Sequence, residues 1–333
     1  MVDVALYLFL AALTVTGAHR ASRYMNDIDR KTNLSAALLG GFFLALMTSL
    51  PELVASLTST VRLDNPALAF GNVLGSNLFN LLILAVIDLL FVKHMLFNHA
   101  GRKHAATLVV GLYLILVVPF ALAAAEIFAL DAFTLSIGMR LSLLSLVIGA
   151  LYLYNLLRPR AVPVRVSTTS TGLKQSVTLF SVFALLVVVA SYFLAVFADR
   201  VGVMLGWEAS FAGSVLLGAA TSLPEFTVVW TLIRLKNYSV AVGSIMGSNL
   251  FNLFILFIID AARVDTDLFA AFNAVGNIEN ILLLLILGLI NSIMVVVALK
   301  RRPARRTGIY ALPSVVVIMT YIVYIALSLG GLP

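Results

Sequence analysis

The chain contains no cysteine and carries very little charge. With no cysteine among its 333 residues, disulfide bonds and thiolate metal sites are excluded. Charged residues make up only 11% of the sequence, whereas hydrophobic residues make up 62%. A water-soluble domain needs more charge on its surface than this. The composition therefore predicts a protein that crosses a membrane several times.

Histidine is also scarce, and its positions argue against an enzyme. The four histidines, His19, His94, His99 and His104, are all predicted to sit in loops, so a zinc or catalytic centre within the bilayer is not expected. The sequence shows no glycine-rich phosphate loop and no nucleophile–base pair. An intramembrane enzyme, such as a lipid phosphatase, is therefore a remote alternative.

Apolar runs of about twenty residues recur ten times along the chain. They lie near residues 2–18, 34–60, 66–92, 104–125, 132–157, 175–198, 209–234, 238–261, 277–299 and 309–331. A polar linker over residues 158–174 separates five runs from five. We therefore predict an all-α membrane protein of ten transmembrane helices, with one five-helix repeat in residues 1–157 and a second in 175–333.

The basic residues predict how the helices are oriented. The loops after the odd-numbered spans hold 18 of the 22 lysines and arginines, so the positive-inside rule places those loops and the 158–174 linker in the cytoplasm. Both termini are then outside the inner (plasma) membrane. Because five is odd, the two halves have inverted topology. The net charge of +7 comes from the basic residues of these loops, where they set the topology. The expected partner is therefore the lipid bilayer, and nucleic-acid binding is not expected. No obligatory protein partner is evident.

Two short motifs occur once in each half. Thr-Ser-Leu-Pro-Glu stands at 48–52 and again at 221–225, and Gly-Ser-Asn-Leu-Phe-Asn-Leu stands at 75–81 and again at 247–253. The offset is 173 residues for the first motif and 172 for the second, so the copies differ by one residue between the motifs. The motif regions extend over about 40–82 and 213–254.

Each copy places a glutamate, Glu52 or Glu225, within an apolar span behind a proline. Proline cannot donate a helical hydrogen bond, so Pro51 and Pro224 predict broken helices 2 and 7 at the core, with backbone carbonyls turned toward a cavity. An ionised glutamate in mid-membrane costs roughly 3 kcal/mol on insertion scales. One Ca²⁺ or two Na⁺ would neutralise the two glutamates. This favours a transporter whose binding site changes from one side of the membrane to the other only when it holds these ions.

The other polar residues of the motifs supply neutral oxygen atoms on shared helix faces. Oxygen ligands suit hard cations such as Ca²⁺ and Na⁺, and no resident cofactor is expected. The predicted ligands are Glu52, Glu225, Thr48, Thr221, Ser49, Ser222, Ser76, Ser248, Asn80 and Asn252.

Two further pairs of polar residues belong to the repeat. Asn77 and Asn249 point away from the ligand face, so we expect them to tie down the distorted backbone. Asp88 and Asp260 follow each second motif by eight residues, and they are either interhelical anchors or a cation or proton relay. Gly71 and Gly75 form a small-xxx-small pair that permits close backbone approach.

The two motif pairs resemble the α-repeats of the cation/Ca²⁺ exchanger superfamily, and most closely those of prokaryotic sodium/calcium exchangers. The resemblance implies that Glu52 and Glu225 bind Ca²⁺ or Na⁺ in turn and that spans 1 and 6 slide as a gate against a fixed core. Two features depart from the family pattern. Met47 and Ala220 stand where members often have glycine, and both Asn80 and Asn252 are asparagine where some members carry one aspartate.

The expected function is secondary antiport of Ca²⁺ against Na⁺ by alternating access. A Ca²⁺/H⁺ antiporter on the same scaffold is the main alternative, because a site with only two obvious carboxylates leaves the driving ion open. A cation channel, which would need no obligatory counter-ion, is the remote alternative.

Overall fold

The computed structural model of the protein describes most of the chain, and its described residues are almost entirely helical. They are residues 2–32, 46, 48–91, 95–100, 109–111, 116–118, 134–136, 140–157, 172–263, 268–275, 278–300 and 307–330. The helices are α1 (Val2–Thr32), α2 (Leu50–Leu57), α3 (Pro66–Leu90), α4 (Leu96–Ala100), α5 (Leu143–Leu157), α6 (Leu173–Leu205), α7 (Ala209–Ala212), α8 (Gly218–Thr221), α9 (Leu223–Arg234), α10 (Tyr238–Ala262), α11 (Leu268–Val275), α12 (Ile278–Lys300) and α13 (Thr307–Gly330). Two π-helical turns, Thr58–Arg62 and Gly213–Leu217, continue α2 and join α7 to α8.

Six of these helices are long and apolar enough to cross a membrane, namely α1, α3, α6, α10, α12 and α13. Two further segments, Ala209–Thr221 and Leu223–Arg234, meet at 41° around Ser222 and make a seventh span if the bent pair is counted as one. The protein is therefore an integral membrane protein.

Part of the ten-span prediction falls outside the described residues. Residues 34–45 and 47 of the second span, most of the fourth span and residues 158–171 of the linker lie there, although 109–111 and 116–118 of the fourth span are helical. The count of ten therefore stays a prediction.

The fifth predicted span, 132–157, is wrong in its first part. Strands β1 (Thr134–Ser136) and β2 (Arg140–Ser142) pair antiparallel, and α5 begins only at Leu143. The backbone N–H of Ser142 donates to Asp260 Oδ2 at 3.0 Å, so a carboxylate on another helix caps the start of α5. Because that cap comes from a distant part of the chain, the apolar pattern could not reveal it.

The first helix is longer than predicted. Helix α1 continues past residue 18 to Thr32, so the expectation that His19 lies in a loop is wrong. His19 instead approaches α9, with its Nδ1 atom 3.2 Å from Thr227 Oγ1. His99 likewise lies in helix α4, whereas His94 and His104 fall outside the described residues.

The one-residue difference between the motif copies coincides with a π-helical turn. An extra residue inserted into an α-helix widens one turn to the π form. The first copy has such a turn at Thr58–Arg62, whereas the second stays α-helical to Arg234. After the π-helical turn, equivalent residues of the two copies are again a constant 172 positions apart. Asp64 and Lys236 both have a positive φ, of 50° and 56°, and α3 and α10 are both 25 residues long.

The centre of the bundle is formed by α3 and α10. Of their most apolar windows, 72% and 61% are buried, against 17% for α1 and 28% for α6, which pack against each other at the side of the bundle. Arg263, just after α10, forms an ion pair with Asp64, just before α3, and the centres of the two helices also touch. The two central helices therefore run antiparallel.

The first repeat meets the second through direct backbone contact. A Cβ atom at Gly71 would overlap the carbonyl oxygen of Ser210, and one at Gly75 would overlap the Cα atom of Ser214. From the other side, a Cβ at Gly213 would overlap the carbonyl oxygen of Leu68. The prediction that Gly71 and Gly75 permit close approach is thus confirmed, and the approach brings α3 against the segment that contains the break at Ser222.

Gly71→Ala should destabilise the protein, because the added methyl group must displace backbone rather than a flexible side chain. We expect a loss of about 1–3 kcal/mol, the usual range for overpacking, visible as a lower midpoint of thermal unfolding in detergent. Gly288→Ala is the matched control, since a Cβ there meets nothing within 4 Å. Equal midpoints for the two variants would contradict the close contact.

Candidate functional site

The two repeated glutamates lie at two equivalent helix starts inside the protein. Glu52 is in the first turn of α2 and Glu225 is in the first turn of α9, and both side chains are 0% exposed. The residues before these helices, Ser49 and Ser222, leave the regular α conformation, with ψ of 14° and 0°, and the proline that follows by two residues lies in the first turn of each new helix. Each carboxylate therefore sits beside a helix N-terminus, where negative charge is favoured.

Hydrogen bonds cross between the repeats at this point. Ser49 Oγ donates to Glu225 Oε1 at 3.3 Å, and Ser222 Oγ donates to Glu52 Oε1 at 3.1 Å. Each serine is a neighbour of one glutamate in sequence and a partner of the other in space. The two Thr-Ser-Leu-Pro-Glu motifs, 173 residues apart, thus face each other.

A second set of crossed contacts joins the two motif types. Thr48 Oγ1 lies 3.3 Å from Ser248 Oγ, and Ser76 Oγ lies 3.4 Å from Thr221 Oγ1. These two pairs are related by the internal repeat, since Thr48 corresponds to Thr221 and Ser76 to Ser248. All four hydroxyl groups are buried.

The asparagines close the other side of the cluster. Asn80 Nδ2 donates to Asn249 Oδ1 at 2.9 Å, and Asn249 Nδ2 donates to the backbone carbonyl of Asn77 at 3.1 Å. Asn249 therefore bonds to the α3 backbone, whereas the backbone-tying role of the Asn77 side chain stays a prediction. Neither Oδ1 nor Nδ2 of Asn252 has a hydrogen-bond partner among the described residues.

Several buried oxygen atoms in this cluster lack a hydrogen-bond donor within the described part of the chain. They are Oε2 of Glu52, Oε2 of Glu225, and Oδ1 of Asn77, Asn80 and Asn252. A buried polar atom without a partner costs about 1–3 kcal/mol, and a buried charge costs more. Two carboxylate oxygens and nearby amide oxygens suit a hard cation such as Ca²⁺ or Na⁺.

The family of the protein follows from its sequence taken together with this arrangement. A sequence profile described as "Sodium/calcium exchanger protein" matches residues 3–158 and, a second time, residues 175–330. The chain belongs to the sodium/calcium exchanger family. The resemblance seen in the two motif pairs is confirmed, and the family consists of transporters rather than enzymes. No curated protein matches the sequence.

Solved structures with the same fold include several exchangers. Native YfkE is 15% identical to this exchanger, with a TM-score of 0.65, over 98% of this chain and 92% of YfkE. The H⁺/Ca²⁺ exchanger CAX is 14% identical, with a TM-score of 0.64, over 98% and 87% of the two chains. The sodium-calcium exchanger NCX_Mj is 18% identical, with a TM-score of 0.54, over 98% of each chain. At these identities the likeness establishes the fold.

The exchanger's repeated aspartates, Asp88 and Asp260, make anchoring contacts near the C-terminal ends of α3 and α10. Asp88 accepts hydrogen bonds from the hydroxyl groups of Tyr310 and Ser314, the latter at 2.6 Å. Asp260 accepts from the backbone N–H of Ser142 at 3.0 Å and from that of Leu268 at 2.8 Å. These contacts favour the anchor over the relay.

One residue of the exchanger's central cluster was missed by the sequence reasoning. Asn72, fully buried on α3, donates to the backbone carbonyl of Glu52 at 3.1 Å and to Ser56 Oγ at 2.9 Å, and its Oδ1 accepts from Thr221 Oγ1 at 3.3 Å. It stands one helical turn before Ser76, and that i, i+4 spacing was the available signal. The second repeat has Ser244 at the equivalent position.

Asp88→Ala should destabilise the exchanger, because the hydroxyl groups of Tyr310 and Ser314 would lose their acceptor in the protein interior. We expect a loss of about 1–3 kcal/mol, measured as a lower thermal unfolding midpoint in detergent. Asp64→Asn is the matched control, since the Asp64 side chain is 80% exposed, its ion pair with Arg263 should contribute little, and asparagine tolerates the positive φ at this position. A larger effect of Asp64→Asn would contradict the anchor.

Proposed function

We propose that the protein is a secondary antiporter that moves Ca²⁺ across the membrane in exchange for Na⁺ by alternating access. In this proposal the chain has ten spans in two inverted five-helix repeats, with both termini outside and helices 2 and 7 broken at their prolines. The observation that carries the proposal is the pair of buried carboxylates of Glu52 and Glu225. Each is bonded through Oε1 to a serine of the opposite repeat, and each has an Oε2 atom without a hydrogen-bond partner among the described residues.

The ligand set supports cations as cargo. Glu52 and Glu225 would supply the charged ligands, and the amide oxygens of Asn80 and Asn252 would complete the coordination of one Ca²⁺ between the repeats. The two crossed hydroxyl pairs, Thr48 with Ser248 and Ser76 with Thr221, would provide flanking oxygen atoms for Na⁺. Ser49 and Ser222 orient the carboxylates, because each donates to the glutamate of the opposite repeat.

Charge balance supports obligatory exchange. With both glutamates ionised and unoccupied, the broken helices would have to carry two negative charges through an apolar environment, which is unfavourable. One Ca²⁺ neutralises both charges, and so do two Na⁺. The loaded forms would therefore change sides readily and the ion-free form would not, which couples the two fluxes.

A Ca²⁺/H⁺ antiporter is the second candidate, and it rests on the same pair of oxygens. Two protons on Oε2 of Glu52 and Oε2 of Glu225 would also neutralise the site, without any flanking ligand. The carboxylates alone thus fit either counter-ion, while the four buried hydroxyl groups beside them favour Na⁺.

The counter-ion is tested with purified protein in liposomes. Vesicles loaded with Na⁺ should take up radioactive ⁴⁵Ca²⁺ when diluted into Na⁺-free buffer with the pH clamped equal on both sides. Vesicles with only a pH gradient should take up little. The reverse result would establish the Ca²⁺/H⁺ antiporter, and rapid Ca²⁺ equilibration with no counter-ion would indicate a channel.

Glu52→Gln and Glu225→Gln should each abolish Ca²⁺ uptake in that assay, because one carboxylate cannot neutralise Ca²⁺ in the membrane interior. The protein should still insert, since glutamine keeps the size of the side chain and accepts the serine hydrogen bond. Glu279→Gln is the matched control, because Glu279 is an exposed glutamate in the first turn of α12. Wild-type uptake by either of the first two variants would refute the proposed site.

Asn72→Ser should raise the KM for Ca²⁺ by about tenfold, because it removes hydrogen bonds that position the Glu52 backbone and the Thr221 hydroxyl. Serine is the residue that the second repeat already has at this position. The maximal rate should change less than KM, since both carboxylates remain. Asn98→Ser is the control, because Asn98 lies in α4, beyond the far end of α3, and this variant should keep the wild-type KM. An unchanged KM in Asn72→Ser would contradict the positioning role of Asn72.

A further inference from the structure

A row of buried hydroxyl groups leads from Glu52 toward the end of the bundle where α3 begins. The row consists of Ser56, Ser59 and Thr60, which follow Glu52 by four, seven and eight positions and so continue its face of the helix into the π-helical turn. Eight residues of helix rise by about 12 Å. All three side chains are buried. The polar character of the site therefore extends past the repeated motif toward one face of the membrane.

The second repeat has apolar residues where the first has the hydroxyl row. Thr58 and Thr231 are equivalent at the offset of 173, and each donates its hydroxyl group to the backbone carbonyl four residues earlier. At the same offset the hydroxyl row corresponds to Val229, Leu232 and Ile233. Since the second repeat forms its helix with these apolar residues, the helix itself does not require the hydroxyl groups.

The hydroxyl oxygens of the row can still accept a ligand. Ser56 Oγ accepts from Asn72 Nδ2 at 2.9 Å, and Ser59 Oγ donates to the carbonyl of Ala55 at 2.8 Å, so each oxygen keeps a lone pair. Thr60 is only 2% exposed, and its Oγ1 has no hydrogen-bond partner among the described residues. A buried polar atom of this kind is costly unless a ligand shares it. Neutral oxygen atoms at this spacing suit a hard cation that has lost part of its water shell.

An ion pair lies at the far end of the hydroxyl row. Arg263 Nη1 donates to the backbone carbonyl of Thr60 at 3.4 Å, and Arg263 Nη2 lies 2.7 Å from Asp64 Oδ1. The Asp64 side chain is exposed, so its carboxylate can attract cations from solution. At the offset of 172 the equivalent positions are Phe91 and Lys236, so the sequence does not repeat this pair at the opposite end of the bundle.

We propose that cations reach Glu52 from the outer face along the hydroxyl row and that Arg263 closes the outer end of this passage. The inference rests on the proposed function and topology, which place this end of the bundle outside. Between Asp64 and Glu52, the hydroxyl oxygens replace part of the water shell of Na⁺ or Ca²⁺. Opening the passage breaks one long hydrogen bond between Arg263 and Thr60, which shifts the equilibrium by roughly fivefold and does not arrest transport.

The absence of natural cysteine lets the passage be probed with a thiol reagent. Thr60→Cys is compared with Thr58→Cys, which lies in the same π-helical turn but follows Glu52 by six positions, on a different face of the helix. Each variant is treated with a membrane-impermeant cationic methanethiosulfonate, in right-side-out and in inside-out membrane vesicles. Mass spectrometry measures the labelling, and ⁴⁵Ca²⁺ uptake measures exchange.

Thr60→Cys should be labelled about tenfold faster from the outer face than from the inner face, because it is reached only when the site faces outward. The label should stop exchange, and Thr58→Cys should react far more slowly. Equal labelling of the two positions, labelling from the inner face alone, or exchange that survives complete labelling would overturn the passage. Labelling is measured independently of transport, so absence of exchange in the unmodified protein would instead overturn the proposed function.

The closing role of Arg263 is tested in the same assay. Adding Arg263→Met to Thr60→Cys should speed labelling from the outer face by roughly fivefold, because methionine keeps the apolar length of the side chain and loses the bond to the Thr60 carbonyl. An unchanged or slower rate would overturn the closing role.

A second measurement covers a cysteine variant that does not fold. Thr60→Val removes the hydroxyl group and keeps the branched shape of the side chain. Its thermal unfolding midpoint in detergent should not fall, because a buried hydroxyl group without a partner does not stabilise the protein. Its KM for Ca²⁺ supplied at the outer face should still rise by about fivefold, and Thr60→Ser should keep the wild-type KM. An unchanged KM in Thr60→Val would overturn the passage, and a lower midpoint beside it would show that the hydroxyl group is purely structural.

Discussion

The structure depends on the burial of two carboxylates, on Glu52 and Glu225, within one apolar bundle. Each carboxylate is held through one oxygen by a serine of the opposite repeat, and each keeps a second oxygen without a partner among the described residues. Such a pair is costly unless a cation shares it. The rest of the arrangement can be understood as the means of bringing these two groups together and holding them there.

The close backbone contact between the repeats is what makes that meeting geometrically possible. Gly71 and Gly75 let α3 lie directly against the segment before Ser222, so that the hydroxyl of Ser76 reaches Thr221. Asn72, on the same face, then ties the Glu52 backbone to the second repeat. The anchors at Asp88 and Asp260 act farther along the same two helices, where they fasten neighbouring segments to the core.

The sequence predicted the elements that depend on local pattern. The duplicated motifs identified both glutamates, their hydroxyl neighbours and the glycine stripe, because proline, glycine and buried carboxylates have strong positional preferences. The sequence analysis missed the features that depend on contacts between distant parts of the chain. The residue before α5, Ser142, is bonded to Asp260, which is 118 residues away in sequence. The helical course of α1 past His19 and the role of Asn72 likewise rest on packing between segments far apart in the chain.

The most direct test of the central claim is the position of a bound cation. Crystals of the protein soaked in Sr²⁺, a heavier stand-in for Ca²⁺, should show one anomalous scattering peak between Oε2 of Glu52 and Oε2 of Glu225, and high Na⁺ should remove it. A peak at another place, with the two glutamates still bonded only to their serines, would contradict the account.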